Sequence, residues 1–361
     1  MEAEIGFSHS QIGFFILFLG MGYSIMLLFS GMLSQILGYR NHIAIFMFLA
    51  GLVLVAITEL RNFYGLVAGF LFLGLSLGAY LPAAIPLITS SFSKWGRAIG
   101  LHDSGAPIAM ILMPVMASIL LKKFHWSVML VGIGVTLMVV TLLFITTTSN
   151  IREQSSGIKH YFEVVSDRFV WYVAILWIIM AFSAAGLFSV LPLYLVSEKG
   201  FKLTNALYLL GIARLGGLST PVIGIVSDRV GHETFLNLSV AVTGLLTLLI
   251  PLATPPYIGA ILFLQAFFSS FFFPMAFVVV SKIIQKEDQS PALGFILFMG
   301  TLVGMGVLPK LLLDVAEVSG FSSGIIVMGL AVIVATIISV KISRTPPRVH
   351  ASGNPTGLIS R

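Results

Sequence analysis

The sequence predicts an all-α membrane protein of about 11 transmembrane helices, arranged as two related bundles. Three observations carry that expectation. Of 361 residues, 58% are hydrophobic and only 9% charged, whereas soluble domains carry roughly 25% charged residues. The apolar runs reach the roughly 20 residues needed to cross a hydrocarbon core of about 30 Å. Finally, Gly31-Met32-Leu33-Ser34-Gln35-Ile36-Leu37-Gly38-Tyr39-Arg40 returns 193 positions later as Gly224-Ile225-Val226-Ser227-Asp228-Arg229-Val230-Gly231-His232-Glu233, with Gly, Ser and Gly at matching places. The likeness extends upstream: Gly6-Phe7 precedes the first copy by 25 residues and Gly200-Phe201 the second by 24. A repeat of this size, made of apolar segments, points to a transporter of two similar halves.

Taken in order, spans are expected near 9–31, 42–60, 64–89, 97–121, 126–147, 169–196, 203–226, 235–254, 257–281, 291–313 and 322–342. The first ends in the first motif copy. The third carries Tyr80, Pro82 and Pro86, and the sixth Pro192 and Tyr194, which mark kinked helices that can line a cavity. The fourth holds His102 and Asp103, and the seventh Arg214 and the second motif copy. The ninth carries Gln265 and the cluster Phe267, Phe268, Phe271, Phe272 and Phe273, read as core or lipid-facing. Residues 1–147 then form an N-terminal helix bundle and 169–342 a C-terminal six-helix bundle. The polar stretch 148–168, with Arg152, Glu153, Lys159, His160 and Glu163, joins them as a linker. The tail 343–361, with Pro346, Pro347, Gly353 and Pro355, reads as disordered.

Lys and Arg set the orientation. With the Arg40 loop inside, Lys94, Arg97, Arg152, Lys159, Arg168, Arg229, Lys282, Lys286, Lys341, Arg344, Arg348 and Arg361 also fall inside, while Arg61, Lys122, Lys123, Lys199, Lys202 and Lys310 fall outside. The excess is roughly two to one, in the sense of the positive-inside rule, and puts the C-terminus in the cytoplasm of a multi-pass cell-membrane protein. There is no cysteine, so disulfides, thiolate metal sites and cysteine nucleophiles are excluded. The net charge of +6 belongs to the loops at helix ends and does not indicate a nucleic-acid partner.

The pattern G-x-x-x-D-R-x-G, at the end of one span and before the next, resembles the loop motif of the major facilitator superfamily. That resemblance implies a major-facilitator-type two-bundle fold, a monomeric solute carrier and alternating access by rocking of one half against the other. The family plan has twelve helices with both ends inside. A full span precedes Gly200-Phe201 and only five residues precede Gly6, so the sequence is read as helices 2–12 of the usual 12, lacking the first. The gating motif comprises Gly224, Asp228, Arg229 and Gly231, with Gly31, Gly38 and Arg40 in the weaker copy. The glycines permit close helix approach or a turn at positive φ. Asp228 is expected to cap a nearby helix N-terminus and, by analogy, to hold the inward gate shut; otherwise Ser-Asp-Arg is a solvated turn. Gln35 replaces the acid in the first copy, which predicts a weaker latch there. Phe70 stands about where proton-linked antiporters of the family carry a buried Arg. The family's Gly-Pro antiporter signature is poorly matched by Gly100 to Pro114. Both departures count against a drug/proton antiporter.

Three residues are expected to bind solute. Arg214 lies mid-span, where a guanidinium costs at least about 2.5 to 3.5 kcal/mol, so it should face the bundle interior and hold an anion or an acid. His102 and Asp103 can border one cavity and pass a proton, although adjacent helical residues point about 100° apart and should not face the same way. The bland alternatives are a structural ion pair for Arg214 and helix-end polar contacts for the pair. The expected function is secondary transport of a small organic solute, an anion being favoured, with protons as a candidate coupling ion. A multidrug exporter of the same superfamily is the alternative, and a non-transporting membrane sensor stands in another class. No metal-ligand cluster, phosphate loop or nucleophile–base set is visible, so no cofactor, no metal, no catalytic residues and no enzyme are expected.

Overall fold

The computed structural model describes residues 9–120, 123–152 and 157–346, and among these it is helical with no strand. Twelve helical elements follow the chain. They are α1 (His9–Leu37), α2 (Tyr39–Ile57), α3 (Phe63–Ser91), α4 (Trp95–Asp103 and Gly105–Leu120), α5 (Trp126–Thr147), α6 (Gly157–Ser166), α7 (Arg168–Ser197), α8 (Leu203–Val230), α9 (His232–Leu252), α10 (Pro255–Ile283), α11 (Lys286–Ser319) and α12 (Phe321–Ser343). Ten are long and apolar enough to cross a membrane. The expected fourth span is α4, broken at Ser104. Gly6-Phe7 and the tail from residue 347 lie outside the described residues.

A span in hydrocarbon must satisfy its backbone internally, which is why each apolar run closes into a helix. Polar residues mark the ends. Asn62 accepts from the Gly65 N–H at 2.6 Å to start α3, and Asp167 accepts from Phe169 and Val170 to start α7. The motif glycines Gly38 and Gly231 turn the chain between spans at φ of 82° and 115°, a region closed to most side chains. Beyond these turns the expected boundaries move. The residues from Gly224 to Val230 are helical, so the motif is the last two turns of α8 and only Gly231 is loop. The apolar run supplies no reason to stop at residue 226, and the glycine sets the end instead. The stretch 148–168, expected as a plain linker, contains the helix α6. Tyr161 and Val164 are spaced to share its buried face.

Six spans are irregular part-way along. α3 turns at Ala79, α4 at Ser104 and α10 at Phe271. α7 has a π-helical stretch at Phe182–Gly186, α11 one at Gly300–Val307, and α8 a 3-10 stretch at Leu215–Ser219. Ala79 and Phe271 are separated by nearly the spacing of the two motif copies. Freed carbonyls at such breaks need donors. At Ala79 they come from Ser30, whose hydroxyl donates at 2.7 Å, and from the His42 ring at 3.1 Å.

α3, α7 and α10 are the most buried spans, and α5 buries little, leaving its apolar surface to lipid. Trp177 of α7 packs its ring against Phe272, Phe273 and Phe277 of α10. The buried cluster around it also takes in Leu27, Ile85 and Ile99 from α1, α3 and α4. Helices before and after α6 therefore share one apolar core on the motif side. The main contacts across this seam are α1 with Lys286–Met299 of α11, and Thr220–Val230 of α8 with Trp95–Asp103 of α4. Each motif-bearing helix thus grips a helix of the other half.

Candidate transport site and gate

Tyr80, His102 and Asp103 form a chain where two helices break. Tyr80 opens Tyr80–Ser91 just after the Ala79 turn, and His102 and Asp103 close Trp95–Asp103 just before Ser104. The Tyr80 hydroxyl is 3.0 Å from His102 Nε2, the two rings stack with centroids 5.6 Å apart, and His102 Nδ1 is 2.9 Å from Asp103 Oδ1. A neutral imidazole satisfies both bonds when the Tyr80 O–H donates to Nε2 and Nδ1–H donates to the carboxylate. The side chains of His102 and Asp103 are 18% and 13% exposed, and Asp103 Oδ2 is buried with no hydrogen-bond partner. The two neighbours still leave the helix about 100° apart, and they meet because Nδ1 is the ring nitrogen nearest the backbone and the carboxylate reaches it across that offset. Tyr80 stood out in sequence only as part of a kinked span. Its link to His102 depends on how the two breaks, at Ala79 and Ser104, are placed against each other, which the kink-marking residues around them do not give.

Arg214 lies on another helix, α8. It ends Leu203–Arg214, next to the 3-10 stretch, and is half-buried. Its guanidinium carbon lies 4.4 Å from the ring centroid of the buried Phe188 on α7, a cation–π contact. Three residues on, Gly217 faces Pro107 of α4: a Cβ there would sit 3.3 Å from the proline ring. Arg214 is thus close, along the chain, to a contact between the halves. Gln265 is fully buried and donates to the Ser183 carbonyl at 3.1 Å, a link between helices. Phe271 and Phe272 are core. Lys310 pairs with Asp314 in the open at 2.6 Å.

The motif builds a close contact between α8 and α4. Asp228 accepts from the backbone N–H of Gly96 and of Arg97, both at 2.9 Å. These are orphan donors in the first turn of Trp95–Asp103, where a carboxylate also meets the positive end of the helix dipole. His232 Nε2 lies 3.0 Å from the same carboxylate, and Lys282 pairs with Glu233 at 2.8 Å. The helices touch closely: a Cβ on Gly96 would lie 2.7 Å from the Gly224 carbonyl, and one on Gly100 2.7 Å from that of Thr220. Arg229 is exposed.

The first copy uses the same packing with other chemistry. A Cβ on Gly31 would come within 2.5 Å of Pro291 and Ser290. Ser34 and Ser290 hydroxyls bond at 2.7 Å, and Ser290 donates to the Pro82 carbonyl at 2.7 Å. Gln35 donates its amide to the Glu287 carbonyl, where Asp228 accepts. Arg40 bonds Asn41 and the Thr148 carbonyl, tying α2 to the start of the linker. The linker helix bridges the halves. Tyr161 donates to the Leu28 carbonyl at 2.8 Å, and His160 Nε2 meets Asp288 of α11 at 2.6 Å.

The family profile of the Major Facilitator Superfamily matches residues 1–261 and again 215–359. A curated relative, an uncharacterized transporter of Buchnera aphidicola subsp. Acyrthosiphon pisum (strain APS), is 24% identical over 226 residues, 60% of this chain. The chain spans 55% of that relative's length. Among solved structures, the E. coli fucose:proton symporter FucP superposes with a TM-score of 0.79 at 18% identity, covering 93% of this chain and 92% of that one. The human organic anion transporter TETRAN gives 0.74 at 14% identity, covering 94% and 87%. These likenesses establish the fold. With the profile matched along nearly the whole sequence, the chain belongs to the Major Facilitator Superfamily, and its spans make it a multi-pass membrane protein of that type.

Proposed function

We propose that the protein is a proton-linked secondary carrier of a small organic anion, working by alternating access between the bundles 1–147 and 169–342. The observation that carries this reading is the Tyr80–His102–Asp103 chain, with one buried carboxylate oxygen left without a partner. A buried carboxylate is costly when charged and unpaired, so Asp103 is suited to take up and release a proton as its surroundings open and close. His102, hydrogen-bonded on both ring nitrogens, can relay that proton. Arg214 supplies the fixed positive charge for the solute. FucP is a proton symporter and TETRAN an organic anion transporter, and both chemistries are compatible with these residues. At these identities neither neighbour transfers its solute.

The test is uptake of a panel of labelled organic anions into vesicles with an imposed pH gradient. Accumulation should follow the gradient. Asp103→Asn should abolish gradient-driven accumulation while leaving solute exchange. Arg214→Lys keeps the charge but loses the planar fork, and should weaken solute binding by about 1.5 to 3 kcal/mol. Uptake of no anion, or accumulation unaffected by Asp103→Asn, would refute the reading.

A further inference from the structure

A cavity of about 600 Å³ opens on the motif side, at the seam where Trp95–Asp103 meets Thr220–Val230, and its lining includes Lys94, Trp95, Arg97, Ile225, Arg229 and Lys282. Four of these are cations. The one carboxylate in the wall, Asp228, is already engaged by two backbone N–H groups and by His232. Lys282 is matched by Glu233. The side chains of Lys94, Arg97 and Arg229 have no hydrogen-bond partner and no acid among the described residues. Against the single charge of Asp228, these three cations leave the cavity wall net positive, which favours an anion between them. Two guanidinium forks and an ammonium suit phosphate oxygens in particular.

The walls indicate where that phosphate comes from. Trp95 is an interfacial side chain at the head of its helix. Ile225 of the cavity wall is an exposed aliphatic, 44% accessible, and on the same two helices Val222, Val226 and Leu101 are exposed as well, 61%, 38% and 65%. In a bilayer such a strip meets acyl chains. A basic pocket at the membrane edge, next to an apolar strip, fits one amphiphile with a phosphate head. We propose that this cavity binds the phosphate of an anionic phospholipid. Lys94 and Arg97 come from the first half, and Arg229 and Lys282 from the second. The bound head group therefore bridges the seam and favours its closed form, a coupling that rests on the alternating-access reading above.

The full chain in detergent is titrated with phosphatidylglycerol, with phosphatidylcholine of the same acyl chains, and with inorganic phosphate, and binding is followed by calorimetry. Phosphatidylglycerol should bind at least about fivefold more tightly than phosphatidylcholine, with about fivefold lost for each cation removed. Lys94→Gln and the double variant Arg97→Gln/Arg229→Gln should therefore weaken it stepwise. Lys310→Gln, on an exposed cation elsewhere, should not. If the double variant does not fold, the loss in Lys94→Gln decides. Competition by inorganic phosphate at equal affinity would keep the phosphate chemistry but overturn the lipid as its source. Equal binding of the two lipids, or variants that bind phosphatidylglycerol unchanged, would overturn the site itself. None of these readouts measures transport, so the carrier reading can fail while the lipid site stands, and the reverse.

Discussion

Asp228 joins the halves with two backbone hydrogen bonds, so its side chain affects the closed seam and not the fold of either half. Asp228→Asn keeps one acceptor and loses the charge that meets the helix dipole. The closed form should weaken by about 0.3 to 2 kcal/mol. A single cysteine placed in the seam, in a chain with no cysteine of its own, should label faster in that variant. Equal labelling rates would make Asp228 a mere turn residue. His160 provides a residue-scale reading of pH. Burial alone would lower its pKa, but hydrogen bonds donated to Asp288 and Glu163, and the charges of those carboxylates, outweigh it and leave the ring above its ordinary 6.5. The contribution of the His160–Asp288 bridge is then complete below about pH 6.5 and is lost as pH rises through the raised value. Ring titration by NMR should show that elevation, and Asp288→Asn should remove most of it. A ring titrating below 6.5 in the wild-type chain would contradict this account.

Elements explain why some of this was legible in sequence and some was not. Gly31 and Gly224 could be picked out because close helix crossing admits only the smallest side chain, and such a requirement leaves a mark. The Asp228 cap was readable from residue type and position, although its partner, the first turn of α4, was not. The Tyr80–His102 bond was hidden: Pro82 and Pro86, and Ser104, Gly105 and Pro107, marked loosened helices in sequence, but not that the turns at Ala79 and Ser104 bring these two side chains together. The helix α6 was hidden by its polarity: one buried stripe of Tyr161 and Val164 is a weak signal within a charged linker. The glycine crossings give an element-scale prediction. Gly224→Ala favours the helix itself by about 1 kcal/mol, so each half should fold, yet its Cβ would lie closer than 3.0 Å to the Gly96 carbonyl. Crossing helices must then separate, and the closed seam should be lost, seen as increased labelling at the seam without loss of thermal stability of the helices. Gly20→Ala, where a Cβ meets nothing within 4 Å, is the control. If both variants behave alike, close packing at Gly224 does not set the gate.

At the scale of the molecule, the two halves meet on the motif side through a shared core and two helix crossings, each offering a point at which the halves can be locked. The Ser34 and Ser290 hydroxyls, one from each half, lie 2.7 Å apart and are fully buried. Cysteines at both positions need only a small adjustment to reach the S–S bond of about 2.05 Å. With no native cysteine, nothing else in the chain can pair with them. If transport requires this seam to open, oxidation of the Ser34→Cys/Ser290→Cys variant should stop uptake, and a reductant should restore it. Each single variant should transport under both conditions, because one thiol cannot bridge. The lock should spare solute binding from the opposite side, since the Tyr80–His102–Asp103 chain contributes no atom to the Ser34–Ser290 contact. Bound solute without turnover in the oxidised protein is therefore the expected signature. Full turnover with the disulfide demonstrably formed would mean that the halves do not part at this crossing, and a rocking motion about the solute site would have to be given up.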